Sequence, residues 1–122
     1  MTKGILIADD SEVFRKAVRN YLAVHNFEIC GEAIDGADVL EKATALEPAL
    51  IILDLRMPNM NGVEVASVLK GRMPEVRILL LTMHEEVLGY KSLMTAIAID
   101  AMMTKTGCFK TLGGCVRGLL NN

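Results

Sequence analysis

Apolar runs in this chain stop on side chains that could do chemistry. "ILIA" (5–8) runs into Asp9 and Asp10, and "LIIL" (50–53) runs into Asp54. "RILLLT" (77–82) ends on Thr82, and "IDAMMT" (99–104) runs into Lys105. Three carboxylates, a hydroxyl and an ammonium form a set with a definite use. An aspartate can be the nucleophile that accepts a phosphoryl group. Like charges at close range raise one another's pKa, so three neighbouring carboxylates make sense around a divalent cation. Hard oxygen ligands suit Mg²⁺, which uses few carboxylates and shares its shell with water and a phosphate. A lysine and a threonine hydroxyl then suit the added phosphate oxygens, one as a point charge and one as a donor.

Each residue alone has an ordinary reading. Asp9 and Glu12 have the spacing of a helix capping box, and taken alone that reading is the stronger. Asp54 can be a turn residue before Pro58, Thr82 a strand threonine and Lys105 a solvated lysine. The ordinary readings do not explain why all five lie at the same end of successive apolar runs.

The elements that position them alternate strand and helix. "ILIA", "FEICGEA" (27–33), "LIIL", "RILLLT" and "IDAMMT" have strand length. Phe14, Ala17, Val18, Tyr21 and Leu22 share one face of a first helix. Val39, Leu40, Ala43 and Leu46 mark a second, closed by Pro48. Val65, Ala66 and Leu69 mark a third, with Gly71 as its expected left-handed cap. Residues 85–96 read as a fourth helix, and Phe109, Leu112, Val116 and Leu119 line the last. Gly113, Gly114 and Gly118 fall in that last helix, which is therefore short, frayed or pressed against a neighbour. The strands are continuously apolar, as in a parallel sheet covered on both faces. Right-handed crossovers limit the choices to a few topologies, of which a doubly wound α/β sheet is the best. In the order 2-1-3-4-5 the first and third strands are neighbours, and ligands bind beyond the strands' carboxyl ends where the order reverses.

A length of 122 residues fits one domain, 1–122, and an apolar fraction of 52% provides a core. A formal charge of −2 gives neither a nucleic-acid footprint nor a membrane-surface signature. The three cysteines, Cys30, Cys108 and Cys115, lack metal-type spacing. Their odd number, with no signal peptide or membrane span, leads to the expectation of a reducing, cytoplasmic compartment.

"ILIADDSEVFR", "IILDLRMPNMNGVEV", "ILLLTMHEE" and "AMMTK" together resemble the receiver domain of bacterial two-component response regulators, over nearly the whole chain. The flavour is chemotaxis-regulator-like, and nearest to receivers attached to helix-turn-helix DNA-binding domains. The resemblance implies a flavodoxin-like (βα)5 fold with strand order 2-1-3-4-5. It implies that Asp54 accepts a phosphoryl group from a sensor histidine kinase. It implies that Asp9, Asp10, Asp54 and the backbone carbonyl of Arg56 hold Mg²⁺. Thr82 and Lys105 would meet the phosphate, and Thr82 would move with it, changing partner interactions on the side of the fourth and fifth strands. It implies no independent enzyme activity beyond the domain's own phosphorylation and dephosphorylation. The expected partners are the kinase and a second copy, through the face of the 85–96 helix, the fifth strand and the last helix. No nucleic-acid contact by this domain and no membrane contact are expected, although a DNA-binding output domain can belong to a longer regulator.

Four positions depart from the family's pattern. Met102 stands where members often have the aromatic switch residue, and it fills the same space more adaptably. Met83 follows Thr82, where a small residue is usual; "AIAIDAMM" replaces a glycine-alanine pattern; Thr106 replaces a proline. Met83, Met94, Met102 and Met103 read first as core filling and second as an adaptable partner surface. Arg56 and His84, two residues beyond Asp54 and Thr82, are expected to border the cleft and tune water access to the acyl phosphate.

Three other readings compete. An aspartyl-nucleophile hydrolase usually has a second aspartate two residues after the first; here that residue is Arg56. A nucleotide-binding module lacks its motif, since "ADDSE" contains no glycine and would repel a pyrophosphate. A phosphorylation-independent docking domain is kept open by Met102.

Overall fold

The computed structural model describes residues 4–82 and 99–121. The order of elements is β1 (Ile5–Ala8), α1 (Glu12–Val24), β2 (Ile29–Ala33), α2 (Gly36–Leu46), β3 (Leu50–Asp54), α3 (Gly62–Arg72), β4 (Arg77–Thr82) and β5 (Ala101–Thr104). A 3-10 turn, Cys108–Lys110, leads into α4 (Leu112–Leu120). The expected helix over 85–96, with Met83, His84 and Met94, lies outside the described residues.

All five strands pair in parallel in the order β2-β1-β3-β4-β5, which is the expected doubly wound sheet. Each strand's alternate residues feed a different core. Leu6, Ala8, Ile51, Leu53, Ile78 and Leu80 pack with Val39, Ala43, Val65, Ala66 and Leu69 of α2 and α3. Ile5, Ile7, Leu50, Ile52, Leu79 and Leu81 pack with Val18 and Leu22 of α1 and with Leu112 and Val116 of α4. This two-sided burial is why the strands read as unbroken apolar runs.

Local chemistry fixes the helix starts. Ser11 caps α1, its side chain accepting from the Phe14 N–H, which contributes about 1 kcal/mol. Asp9 therefore does not cap the helix; its Oδ1 accepts from the Ser11 N–H at 2.8 Å instead. Asp35 caps α2. Asn61 and Glu64 form a reciprocal capping box on α3.

Three expectations need correction. Gly71 does not cap α3: the helix runs through it and ends on Met73, because Lys70 and Arg72 continue the last turn and Pro74 stops it. Phe109 precedes α4, in the 3-10 turn, where Gly107 takes φ +71°. β2 and β5 are shorter than the apolar runs that announced them, starting at Ile29 and Ala101. The glycine-rich α4 is short, nine residues, and pressed against α1: the Gly113 N–H donates to the Tyr21 hydroxyl at 3.0 Å.

Candidate functional site

Sheet register brings the chemistry together. Ala8 pairs with Leu53, Asp54 with Leu81 and Thr82 with Thr104. Asp9 and Lys105 each follow the last paired residue of their strand. Four strands thus end level, and their terminal side chains share the space beyond the sheet's carboxyl edge.

Carboxylate oxygens of Asp9, Asp10 and Asp54 lie within 4.8 Å of one another. Asp9 and Asp54 are buried and Asp10 is exposed. The Lys105 ammonium pairs with Asp9 Oδ2 at 2.7 Å and with Asp54 Oδ2 at 3.3 Å. Asp54 Oδ1 accepts from the Arg56 N–H at 3.3 Å, and Arg56 itself is exposed beside the cleft. Thr82 is buried at the end of β4, and its hydroxyl has no hydrogen-bond partner among the described residues. A buried polar group left unpaired costs about 1–3 kcal/mol, so this hydroxyl is suited to a ligand atom. Its backbone carbonyl accepts from the Lys105 N–H at 2.7 Å, tying the fourth and fifth strand ends.

Burial is the main cause that raises the Asp54 carboxyl to about 6, with Asp9 adding to the rise and Lys105 opposing it. Lys105 is raised as well, for the opposite reason: burial alone would lower it, but Asp9 and Asp54 outweigh burial. One ammonium does not balance three carboxylates. The donor set, all hard oxygens with residual negative charge, fits a small divalent cation such as Mg²⁺.

The turn after β3 sets Asp54's surroundings. Asn59 takes φ +73°, and the Gly62 N–H donates to the Leu55 carbonyl at 2.6 Å. A Cβ on Gly62 would lie 2.6 Å from the Asp54 carbonyl oxygen and 2.9 Å from Leu55 Cα. Only glycine lets α3 start against the strand it follows. Met102 lies half-buried in β5, opposite Leu80, and packs on the core beneath α2 and α3.

The family model described as the response regulator receiver domain matches residues 5–112, which is most of the sequence. The chain belongs to the response regulator receiver domain family. Among relatives of this receiver domain is the response regulator protein VraR of Staphylococcus aureus (strain NCTC 8325 / PS 47). It is 34% identical over 119 residues, covering 96% of this chain and 56% of VraR. The chain thus spans about half the length of the curated relatives it matches. Solved structures are similar throughout. The REC domain of AraT from Geobacillus stearothermophilus has a TM-score of 0.88 at 25% identity, covering 99% of this chain and 95% of that one. A LuxR-family DNA-binding response regulator from Staphylococcus aureus has a TM-score of 0.89 at 24% identity, covering 98% and 99%; this second likeness speaks to fold alone.

In the receiver domain, Asp9, Asp10, Asp54, Thr82 and Lys105 converge as the sequence led one to expect, and Met102 lies apart in β5. Two participants were not singled out in the sequence. The Phe14 ring lies 4.5 Å beneath the Lys105 ammonium, although its spacing marked it only as a core residue of α1. Arg15 donates from Nη1 to the Asp9 carbonyl at 2.7 Å. A lone arginine one turn beyond an acidic pair carries no signal of its own. A groove of about 630 Å³ at the opposite end of the sheet, among Pro48, Met73, Pro74 and Leu120, is remote from all of these.

Proposed function

We propose that this receiver domain is the phosphoacceptor switch of a two-component signal transduction system, with Asp54 as the acceptor. The observation that carries the proposal is the placement of the buried Asp54 carboxylate beside Asp9, Asp10 and Lys105, with the unpaired Thr82 hydroxyl at the neighbouring strand end. An Asp54 oxygen bonds to phosphorus as the bond between phosphorus and a kinase histidine nitrogen breaks, the electron pair staying on that nitrogen. Hydrolysis reverses the state: water adds at phosphorus, the bond to Asp54 breaks, and the carboxylate returns.

Asp9, Asp10, Asp54 and the Arg56 carbonyl hold Mg²⁺ in this proposal, which when bound neutralises charge on the phosphoryl oxygens. Lys105 leaves Asp9 to pair with the phosphoryl group on Asp54. Thr82 donates a hydrogen bond to the same group from its unused hydroxyl, and that new bond pulls on the β4 end. Because Thr82 and Lys105 are joined through the backbone, the pull reaches β5 and the partner-facing side. Arg56, at the cleft mouth, limits water access. The domain acts in the cytoplasm and has no turnover of outside substrates. Similarity to VraR and to a DNA-binding regulator supports a transcriptional output delivered by another domain or partner.

Beryllofluoride, which imitates a phosphoryl group on a carboxylate, tests the site directly. With Mg²⁺, fluorine NMR is expected to give protein-bound resonances for wild type and none for Asp54→Asn. Bound resonances retained in Asp54→Asn would move the acceptor elsewhere. A phosphorylation-independent docking domain remains the second reading, favoured by Met102 in place of an aromatic, and it predicts no bound resonances in either protein.

A further inference from the structure

The acidic pocket depends on a peptide plane. Asp10 has no hydrogen bond or ion pair from its carboxylate to any described residue, so only its backbone sets where that carboxylate lies. The Asp9–Asp10 peptide supplies that backbone. Its carbonyl oxygen accepts from Arg15 Nη1 at 2.7 Å, and the Asp9 N–H is held on the other side by the Ala33 carbonyl at 3.0 Å. Arg15 is in turn fixed from β2: its Nε donates to Glu32 Oε1 at 3.0 Å, and the Arg15 side chain is only 12% exposed. Arg19 pairs with the other Glu32 oxygen, and Lys42 donates to the Glu32 backbone carbonyl. A side chain on α1, anchored on β2, thus clamps the loop that follows β1.

We propose that Arg15, held by Glu32, is a positioning residue for the acidic pocket: it fixes the Asp9–Asp10 peptide and thereby sets the pocket's affinity for a divalent cation. The inference rests on reading that pocket as a cation site. Two effects of removing Arg15 have opposite signs. Loss of a positive charge near three carboxylates favours an incoming cation by Coulomb attraction. Loss of the clamp frees the peptide and makes the pocket pay ordering entropy when the cation enters. Groups that orient metal ligands from behind change affinity by about 10-fold or more when removed, whereas the Arg15 charge is already paired with Glu32, which mutes its field at the pocket. Positioning should therefore win.

Mn²⁺ is the probe, because electron paramagnetic resonance reads free Mn²⁺ without any phosphoryl chemistry. The expected order of affinity is wild type, then Arg15→Lys about threefold weaker, then Arg15→Met about tenfold weaker. Arg19→Met removes a cation from the same Glu32 without touching Asp9, and it should bind at least as tightly as wild type. Arg15→Met binding as tightly as wild type, or more tightly, overturns the proposal, as does an equal weakening by Arg19→Met. If Arg15→Met does not fold by circular dichroism, Arg15→Lys decides, and unchanged affinity there overturns it. Wild type failing to bind Mn²⁺ overturns the cation-site reading, and this proposal with it.

Discussion

At the scale of residues, the site is costly to the fold that builds it. Asp54 is taken from water and set near Asp9 without full compensation, and its carboxyl is pushed from 3.8 to about 6. In the metal-free protein the folded form keeps this proton up to about pH 6, whereas the unfolded chain releases it near 3.8. The folded state therefore binds more protons between those values, and this contribution to stability is lost as pH rises through about 6. A tenfold change in proton affinity corresponds to about 1.4 kcal/mol. Asp54→Asn keeps the shape without the charge, and Lys105 keeps Asp9 as a partner. We expect it to gain roughly 1–2 kcal/mol near neutral pH and to flatten the dependence between about pH 4 and 6. Urea midpoints over a pH series check this; a less stable Asn variant at neutral pH would contradict it. The residues of the acidic cleft were legible because each stops or directly follows an apolar run. Arg15 and Phe14 were not, because their contacts there are with a backbone carbonyl and an ammonium over a ring face, which spacing does not reveal.

At the scale of elements, glycines divide by what surrounds them. Gly62 has backbone of Asp54 and Leu55 where a Cβ would go. Gly62→Ala must push α3 off the end of β3, and overpacking of this kind costs about 1–3 kcal/mol. Gly71 is exposed within α3, and no atom lies within 4 Å of where its Cβ would be. Gly71→Ala should gain about 0.5–1 kcal/mol. Chemical denaturation of the two variants is expected to move the midpoints in opposite directions; the same direction for both would break the argument. The sequence could not separate these glycines, since both follow apolar helical faces or precede them. Why Gly62 is tight is a long-range fact of the strand–turn–helix geometry. Gly71 does not stop α3 because the residue before it is held beyond the helix: Lys70 reaches the Val76 carbonyl and Asp100, which carries the helix's last turn down onto the starts of β4 and β5. Asp100 takes Lys70, Arg77 and the Ile78 N–H together. Burial would raise its carboxyl, but those partners hold it below the usual range, so their contribution is lost only in acid. This staple was not legible either, because its members are far apart in the chain.

At the scale of the molecule, a parallel sheet with level strand ends turns distant residues into one cleft. Continuous apolar strands announced two covered faces, and two cores are what the sheet has. Crossover handedness left only a few topologies; the resemblance to receiver domains implied the order 2-1-3-4-5, and the observed order agrees. Nothing in the strands distinguishes one end of the sheet as functional; the polar residues that stop them do. Among the described residues, no helix is long and apolar enough to cross a membrane.

The central claim is that Asp54 accepts a phosphoryl group. Intact mass after brief incubation with Mg²⁺ and a small phosphoryl donor such as phosphoramidate tests it most directly. One added phosphoryl group on the wild type, absent without the metal and absent from folded Asp54→Ala, is the predicted result. The same adduct on Asp54→Ala, or no adduct on a wild type that also fails to bind beryllofluoride, would contradict it.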